Sequence, residues 1–451
     1  MSGTGWGMRD GGWVALVLLQ LSLPGLTPPL TAQTDRAERD IARAVDQRRD
    51  AAIALLERVV NLNSGTLNFA GVRAVGDVFR AELDALGFIT HWVDGAPFGR
   101  AGHLVAERGT RGPRVLLIGH LDTVFEPDSP FQRFERQDDS TARGPGLIDM
   151  KGGDVVIVEA LRALREARVL DRLQIRVVMT GDEERTGRPL EVARAALRDA
   201  AAWADVALGF EDGAADYRTA VIARRGSTSW ELRVTGVAAH SSQIFREDVG
   251  AGAVFEAARI LHRFYEALAG EPYLTFNPGV ILGGTQVAWD SAQSRGTAFG
   301  KHNVVAERAV VSGDLRAISP EKFATARDRM RAIVAEHLPH TAAELEFSDS
   351  YPPLAPSEGN RRLLALFDRV SRDLGLGPVT AVDPTRVGAA DVSFTADLVD
   401  GVLDGLGTGG ADDHIVRETI DLRTLVFQAK RAAVLLYRLS RGDPLTPSPS
   451  R

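Results

Sequence analysis

Apolar side chains recur along this chain with two different periods, and the changes of period outline its layout. Between residues 35 and 60, Ile41, Val45, Ile53, Leu56 and Val59 fall at the spacings of one helical face. A second helical stretch, 72–86, stops at Gly87, a residue suited to ending a helix. Apolar runs at 88–93, 104–107 and 115–119 read as strands. Helix 154–167, strand 173–180, helix 190–200 and strand 204–210 then follow in turn. Such alternation predicts an α/β sheet covered by helices on both faces.

Near Ala220 the texture changes. Trp230, Leu232 and Val234 alternate with polar neighbours, the period of a half-exposed strand. Helix 249–268, a strand-like run 279–282, strand 304–316 and helix 320–337 come next, a β-α-β-β-α order that reads as a separate α+β layer. After about Thr341 the first texture returns, with helix 360–374, a short helix after Asp391, a short strand near Val402 and a last helix over 419–439. The order implies one unit, 221–340, inserted into another made of 33–220 and 341–441. The Pro- and Ser-rich tail, 442–451, is expected to be disordered.

Composition narrows the chemistry. A formal net charge of -7 gives no electrostatic case for a nucleic-acid partner. Lysine occurs only at 151, 301, 322 and 430, which reads as composition bias, not a binding signal. The absence of cysteine excludes disulfides, thiolate metal sites and cysteine nucleophiles. Any transition metal must therefore be held by carboxylates and by some of only nine histidines. At the N-terminus, Arg9 precedes an apolar run from Trp13 to Leu23, and Leu30-Thr31-Ala32-Gln33 suits cleavage near Ala32. The run is well short of the roughly twenty residues needed to cross a bilayer. Residues 1–32 are therefore expected to be a signal peptide, and the mature chain to be secreted or periplasmic with no membrane anchor.

Candidate chemistry gathers where apolar runs end. His120 closes Val115-Leu116-Leu117-Ile118-Gly119, and Asp122 lies two residues on. Alternate residues of an extended backbone share a face, so Asp122 can accept the second ring proton of His120. Asp149 sits in the glycine-rich Gly144-Pro145-Gly146-Leu147-Ile148-Asp149-Met150-Lys151-Gly152-Gly153. Glu183 and Glu184 follow Met179-Thr180-Gly181-Asp182, and neighbouring carboxylates can divide metal binding and proton transfer between them. Glu211 and Asp212 follow Leu208-Gly209-Phe210. Asp412, Asp413 and His414 follow Gly409-Gly410-Ala411, with Glu418 beyond. Strand ends are where open α/β sheets collect ligands.

In this order the segments resemble the zinc exopeptidase family that includes bacterial glutamate carboxypeptidase, aminoacylase and succinyl-diaminopimelate desuccinylase. The likeness runs from about Ala51 to Leu439. It rests on His120-Leu121-Asp122-Thr123-Val124, on Asp149-Met150-Lys151-Gly152-Gly153 and on Gly181-Asp182-Glu183-Glu184. The resemblance implies a catalytic domain with a mixed sheet between helices and an inserted lid that also dimerises. It implies two zinc ions, with cobalt or manganese as alternatives, bridged by Asp149. His120 and Glu211 complete one ion, Glu184 and His414 the other. Asp122 orients His120, Glu183 is the general base, and the Asp149–Met150 peptide is cis. Asp212 is an alternative to Glu211. On the inserted unit, the resemblance gives His240 a role in stabilising the oxyanion across a dimer. It gives Asn303 and Arg316 the substrate's carbonyl or carboxylate. Gly388 matches a segment that lines the substrate pocket, and that segment is one residue shorter here than in the carboxypeptidases.

The activity so implied is cleavage of the C-terminal amide bond of a small peptide or N-acyl amino acid. An N-acyl amino acid amidohydrolase would use the same chemistry. A periplasmic small-molecule binding protein on the same fold is the non-enzymatic alternative.

Overall fold

The computed structural model describes residues 34–291 and 293–442. The expected signal segment and the tail beyond Gly442 lie outside them. Six strands form a mixed sheet in the spatial order Ile89–Asp94, Gly102–Arg108, Gln174–Thr180, Arg114–His120, Val206–Gly209 and Gly401–Leu403. The last four run parallel and the first two are antiparallel to their neighbours. Alternate residues of Arg114–His120 feed two cores. Val115 and Leu117 pack with helices Arg49–Val60, Gly152–Glu166 and Leu422–Ser440. Leu116 and Ile118 pack with Leu197, Val392 and Phe394 on the other face. Each fully buried aliphatic side chain of this kind contributes about 1.5–3 kcal/mol relative to exposure. The α/β reading therefore holds, with helices on both faces.

The second sheet is wholly antiparallel, in the order Thr275–Gly284, Arg308–Ala317, Gly226–Thr235 and Ala342–Asp349. Trp230, Leu232 and Val234 point inward against Ile260 and Phe264 of helix Ala253–Leu268 and Met330 of helix Pro320–Ala335. The chain leaves and re-enters the first unit along paired backbones, since Arg224 and Leu354 exchange two hydrogen bonds (2.9 and 3.0 Å).

Three local expectations change. The helix read over 35–60 is two, Arg36–Gln47 and Arg49–Val60, broken at Arg48, whose guanidinium pairs with buried Glu159 (2.7 Å). The helix read over 190–200 breaks at Arg194, whose guanidinium is buried between Asp182 (2.6 Å) and Asp391 (2.9 Å). In both places a tertiary ion pair redirects a chain whose local preference is helical. Ala342–Asp349 pairs with Gly226–Thr235, so the return to the first unit falls nearer residue 350 than Thr341. A hairpin, Gln286–Asp290 with Arg295–Phe299, also extends the inserted unit without having been expected.

Candidate metal and catalytic centre

The parallel strands deliver their carboxyl ends to one edge. His120 is paired with Thr180, and Ile118 with Gly209, so the residues just beyond each strand meet there. His120 Nε2 lies 3.0 Å from Asp149 Oδ1 and 3.5 Å from Glu211 Oε1. His414 Nε2 lies 2.7 Å from Asp149 Oδ2 and 3.2 Å from Glu184 Oε2. The five expected ligands thus converge, and Asp149 offers one oxygen toward each imidazole. The Asp149–Met150 peptide is cis, as the resemblance implied. Glu211 Oε1 approaches His120, whereas Asp212 Oδ2 accepts the Ala215 N–H (2.7 Å); burial, then the Asp149, Asp413 and Glu211 charges, push Asp212 up to about 8, so it stands beside the same acids.

The loop carrying Asp149 is anchored from a distant part of the chain. The buried carboxylate of Glu418 accepts the N–H groups of Gly146 (2.8 Å) and Ile148 (2.7 Å), with Asp149 N–H further off at 3.4 Å. Asp122 is fully buried. Its carboxylate accepts Thr66 Oγ1–H (2.7 Å) and the N–H groups of Glu183 (3.0 Å) and Glu184 (3.2 Å). The His120 Nδ1 proton is shared unequally, with the Asp122 carbonyl at 3.1 Å and its carboxylate at 3.5 Å. The main chain of Asp122 lies closer to the His120 ring than its side chain does. Tyr351 Oη donates to the Glu183 carbonyl (2.8 Å), so the main chain of Glu183 is held on both sides.

Asp404 connects Glu211 to the segment that holds Gly388. Its Oδ1 accepts the Glu211 N–H (3.3 Å), and its Oδ2 binds Arg224 (2.7 Å). Arg224 in turn donates to the Gly388 carbonyl (2.8 Å). Glu418, Thr66, Asp404 and Tyr351 had no assigned role from the sequence. Only Glu418, close after His414, carried a visible hint.

The electrostatics are those of acids crowded together. Burial, then the Asp149 charge, push Glu184 up to about 8. Burial and Glu211 hold Glu183 well above the carboxylate range. Glu211 is raised by burial, with Asp149 adding to it against the pull of His120. Burial and the Asp149 charge push Glu418 up to about 8 against its N–H donors. Burial opposes charge on His120, but Glu211, Asp122 and Asp149 outweigh it and raise its pKa well above the usual value. Hydrogen bonds to Asp149 and then Glu184 lift His414 to about 11. Burial raises Asp149, yet the two imidazoles pull it below the ordinary range.

This donor set fits divalent cations. The ligand atoms of His120, Asp149 and Glu184 lie within 4.8 Å of one another, and so do those of Asp149, Asp413 and His414. The two groups share Asp149. Glu184 Oε1 is buried with no hydrogen-bond partner, a state that a cation would relieve.

Among the described residues, no hydrogen bond or ion pair joins His240, Asn303 or Arg316 to this cluster. His240 and Asn303 are neighbours on the inserted unit, joined through Ser241 N–H to the Asn303 carbonyl (2.8 Å), and both are exposed. Ser242 N–H donates to His240 Nδ1 (3.3 Å), leaving Nε2 to carry the ring proton. Arg316 Nε donates to Asp314 (2.9 Å). None of these bonds reaches the metal ligands. Gly388 does connect to them, through Arg224 and Asp404.

Comparison with known proteins agrees with the geometry. Carboxypeptidase G2 of Pseudomonas sp. (strain RS-16) is 25% identical over 415 residues, spanning 91% of this chain and 95% of that protein. A succinyl-diaminopimelate desuccinylase of Acidiphilium cryptum is 34% identical over 172 residues, 36% of this chain and 44% of that protein. Among solved structures, a tripeptidase from Staphylococcus aureus shares the fold with a TM-score of 0.69 at 20% identity, covering 87% of this chain and 99% of that one. Human carnosine dipeptidase 1 does so with a TM-score of 0.60 at 13% identity, covering 90% and 100%. The sequence model of peptidase family M20/M25/M40 matches residues 116–438, a span that holds all five converging ligands and Glu183, and the chain belongs to that family of metal-binding hydrolases.

Proposed function

We propose that this protein is a dinuclear zinc hydrolase that cleaves the C-terminal amide bond of small peptides or N-acyl amino acids, in the manner of carboxypeptidase G2. The observation that carries the proposal is the position of Asp149, one carboxylate oxygen 3.0 Å from His120 and the other 2.7 Å from His414. A carboxylate so placed suits two cations about 3.5–4 Å apart. His120 and Glu211 would hold one ion, and Glu184 and His414 the other. Imidazole and carboxylate donors suit zinc, with cobalt or manganese also accommodated.

When bound, such ions polarise a carbonyl and lower the pKa of water toward about 7. The chain's own residues supply the rest. Glu183 takes the proton of the attacking water and gives it to the leaving amine. Its raised affinity for a proton, from burial and Glu211, suits a carrier that must hold the proton between the two transfers. Asp122 and Tyr351 keep Glu183 in place by binding its main chain.

Arg316 and Asn303 bind the substrate's carboxylate and carbonyl, a planar guanidinium being suited to a carboxylate. His240 completes the oxyanion site of a second copy. Its exposed position on the inserted unit supports that arrangement. The working form is then a homodimer joined through the inserted unit, which acts as a lid. Export to the periplasm or beyond follows from the apolar segment near the N-terminus.

The test is a panel of dipeptides and N-acyl amino acids incubated with zinc-loaded protein, with released amines identified by mass spectrometry. Release of the C-terminal residue, lost on chelation, is expected. Acetate release restricted to N-acetyl amino acids identifies the amidohydrolase reading instead. That reading draws support from the desuccinylase likeness at 34% identity. Metal binding without any turnover favours the binding protein.

A further inference from the structure

We infer that Asp413 is an additional carboxylate ligand to the ion held by Glu184 and His414, making that half of the centre the more oxygen-rich of the two. The inference rests on the dinuclear reading above and concerns a residue to which that reading gives no part.

The Asp413 carboxylate lies within 4.8 Å of the ligand atoms of Asp149 and His414, which are themselves within that distance of each other. Donors around a six-coordinate ion at about 2.1 Å stand roughly 3–4 Å apart. Closing the difference takes a small movement of an exposed side chain, and Asp413 is exposed. Its carboxylate has no hydrogen bond or ion pair among the described residues, whereas its neighbour Asp412 pairs with Arg417 (3.4 Å). A carboxylate beside those of Asp149 and Asp212 adds like charge that a cation would offset. A second observation points to a cation at His414, the residue that Asp413 adjoins. Glu184 directs Oε2 at His414 (3.2 Å), and its other oxygen is buried with no partner, in a side chain only 5% exposed.

The consequence is a difference between the two ions. One position offers His120, Asp149 and Glu211. The other offers His414 with three carboxylates, Asp149, Glu184 and Asp413. Carboxylate-rich sites favour harder ions such as manganese, and imidazole favours zinc. The Glu184–His414 position therefore accepts Mn²⁺ in competition with Zn²⁺ more readily than its neighbour does.

The test uses the full chain stripped with a chelator and titrated with Mn²⁺, followed by electron paramagnetic resonance, then back-titrated with Zn²⁺. The wild type, Asp413→Asn and Asp412→Asn are compared. The wild type is expected to bind two Mn²⁺ and to exchange one for Zn²⁺ well before the other. Asp413→Asn should weaken the more slowly exchanged Mn²⁺ by about tenfold or more and bring the two exchange steps together. Asp412→Asn should behave as the wild type. Melting of the metal-free proteins should be the same for all three, because both positions are exposed. If Asp413→Asn titrates as the wild type does with two ions bound, the role of Asp413 is overturned and the dinuclear reading stands. If the wild type itself binds fewer than two ions, both fall.

Discussion

Asp122 Oδ1 accepts the main-chain N–H of Glu183 at 3.0 Å, so the residue bonded to the His120 ring also holds the main chain of the proposed general base. One fully buried carboxylate ties together the ends of two neighbouring parallel strands. Asp122→Asn replaces one of its two acceptor oxygens with a donor that faces N–H or O–H groups. Turnover is expected to fall by about 10–100-fold, the usual effect of losing a partner of a metal ligand. Steady-state kinetics on the best substrate, with circular dichroism to confirm folding, check this.

Glu183 is close to the ligands but is assigned to proton transfer, not to metal binding. Glu183→Gln should lower kcat by about 10²–10⁴-fold while leaving KM nearly unchanged. Metal content measured by plasma mass spectrometry should stay at two ions per chain. Loss of an ion in this variant would make Glu183 a ligand.

Glu418 braces the Asp149 loop from the far end of the sequence, 272 residues from Gly146. In Glu418→Gln, one of the N–H groups now bonded to the carboxylate faces a donor. A buried donor left without its acceptor costs about 1–3 kcal/mol. A lower melting temperature is expected, together with about tenfold weaker metal affinity, read by differential scanning calorimetry and chelator competition.

Acid should weaken the fold through His103. Its Nδ1 accepts the Gly181 N–H (3.2 Å), which leaves Nε2–H to donate to the Ala193 carbonyl (2.8 Å). Burial lowers its pKa below 6.5 despite Asp182 nearby. The unfolded imidazole takes up a proton near 6.5, and the folded one only at lower pH. Between those values the unfolded chain binds more protons, so stability falls as pH falls through that window. His103→Gln should melt lower than the wild type near neutral pH and lose less on going to about pH 5. Thermal melts across the range measure the difference in slope.

The candidate site residues were legible because they follow a simple local pattern, while their separate roles came from the family resemblance. His120, Glu183, Glu184 and Glu211 each come within a few residues of an apolar run, where a parallel strand ends. Glu418, Thr66 and Asp404 were not legible, because their roles depend on contacts with residues far away in sequence. The breaks at Arg48 and Arg194 were hidden for a related reason. Arginine favours helix locally, and only the buried partners Glu159, Asp182 and Asp391 explain why the chain turns. The strand Ala342–Asp349 did carry its own signal, with Leu345 and Phe347 alternating with Glu344 and Glu346. The return to helix texture after it obscured the boundary.

The most direct measurement is anomalous X-ray diffraction from crystals of the zinc-loaded protein. Two peaks are expected, one on each side of the Asp149 carboxylate and about 3.5 Å apart. One should lie in bonding distance of His120 and Glu211, the other of Glu184 and His414. A single peak, or none in contact with Asp149, would contradict the account.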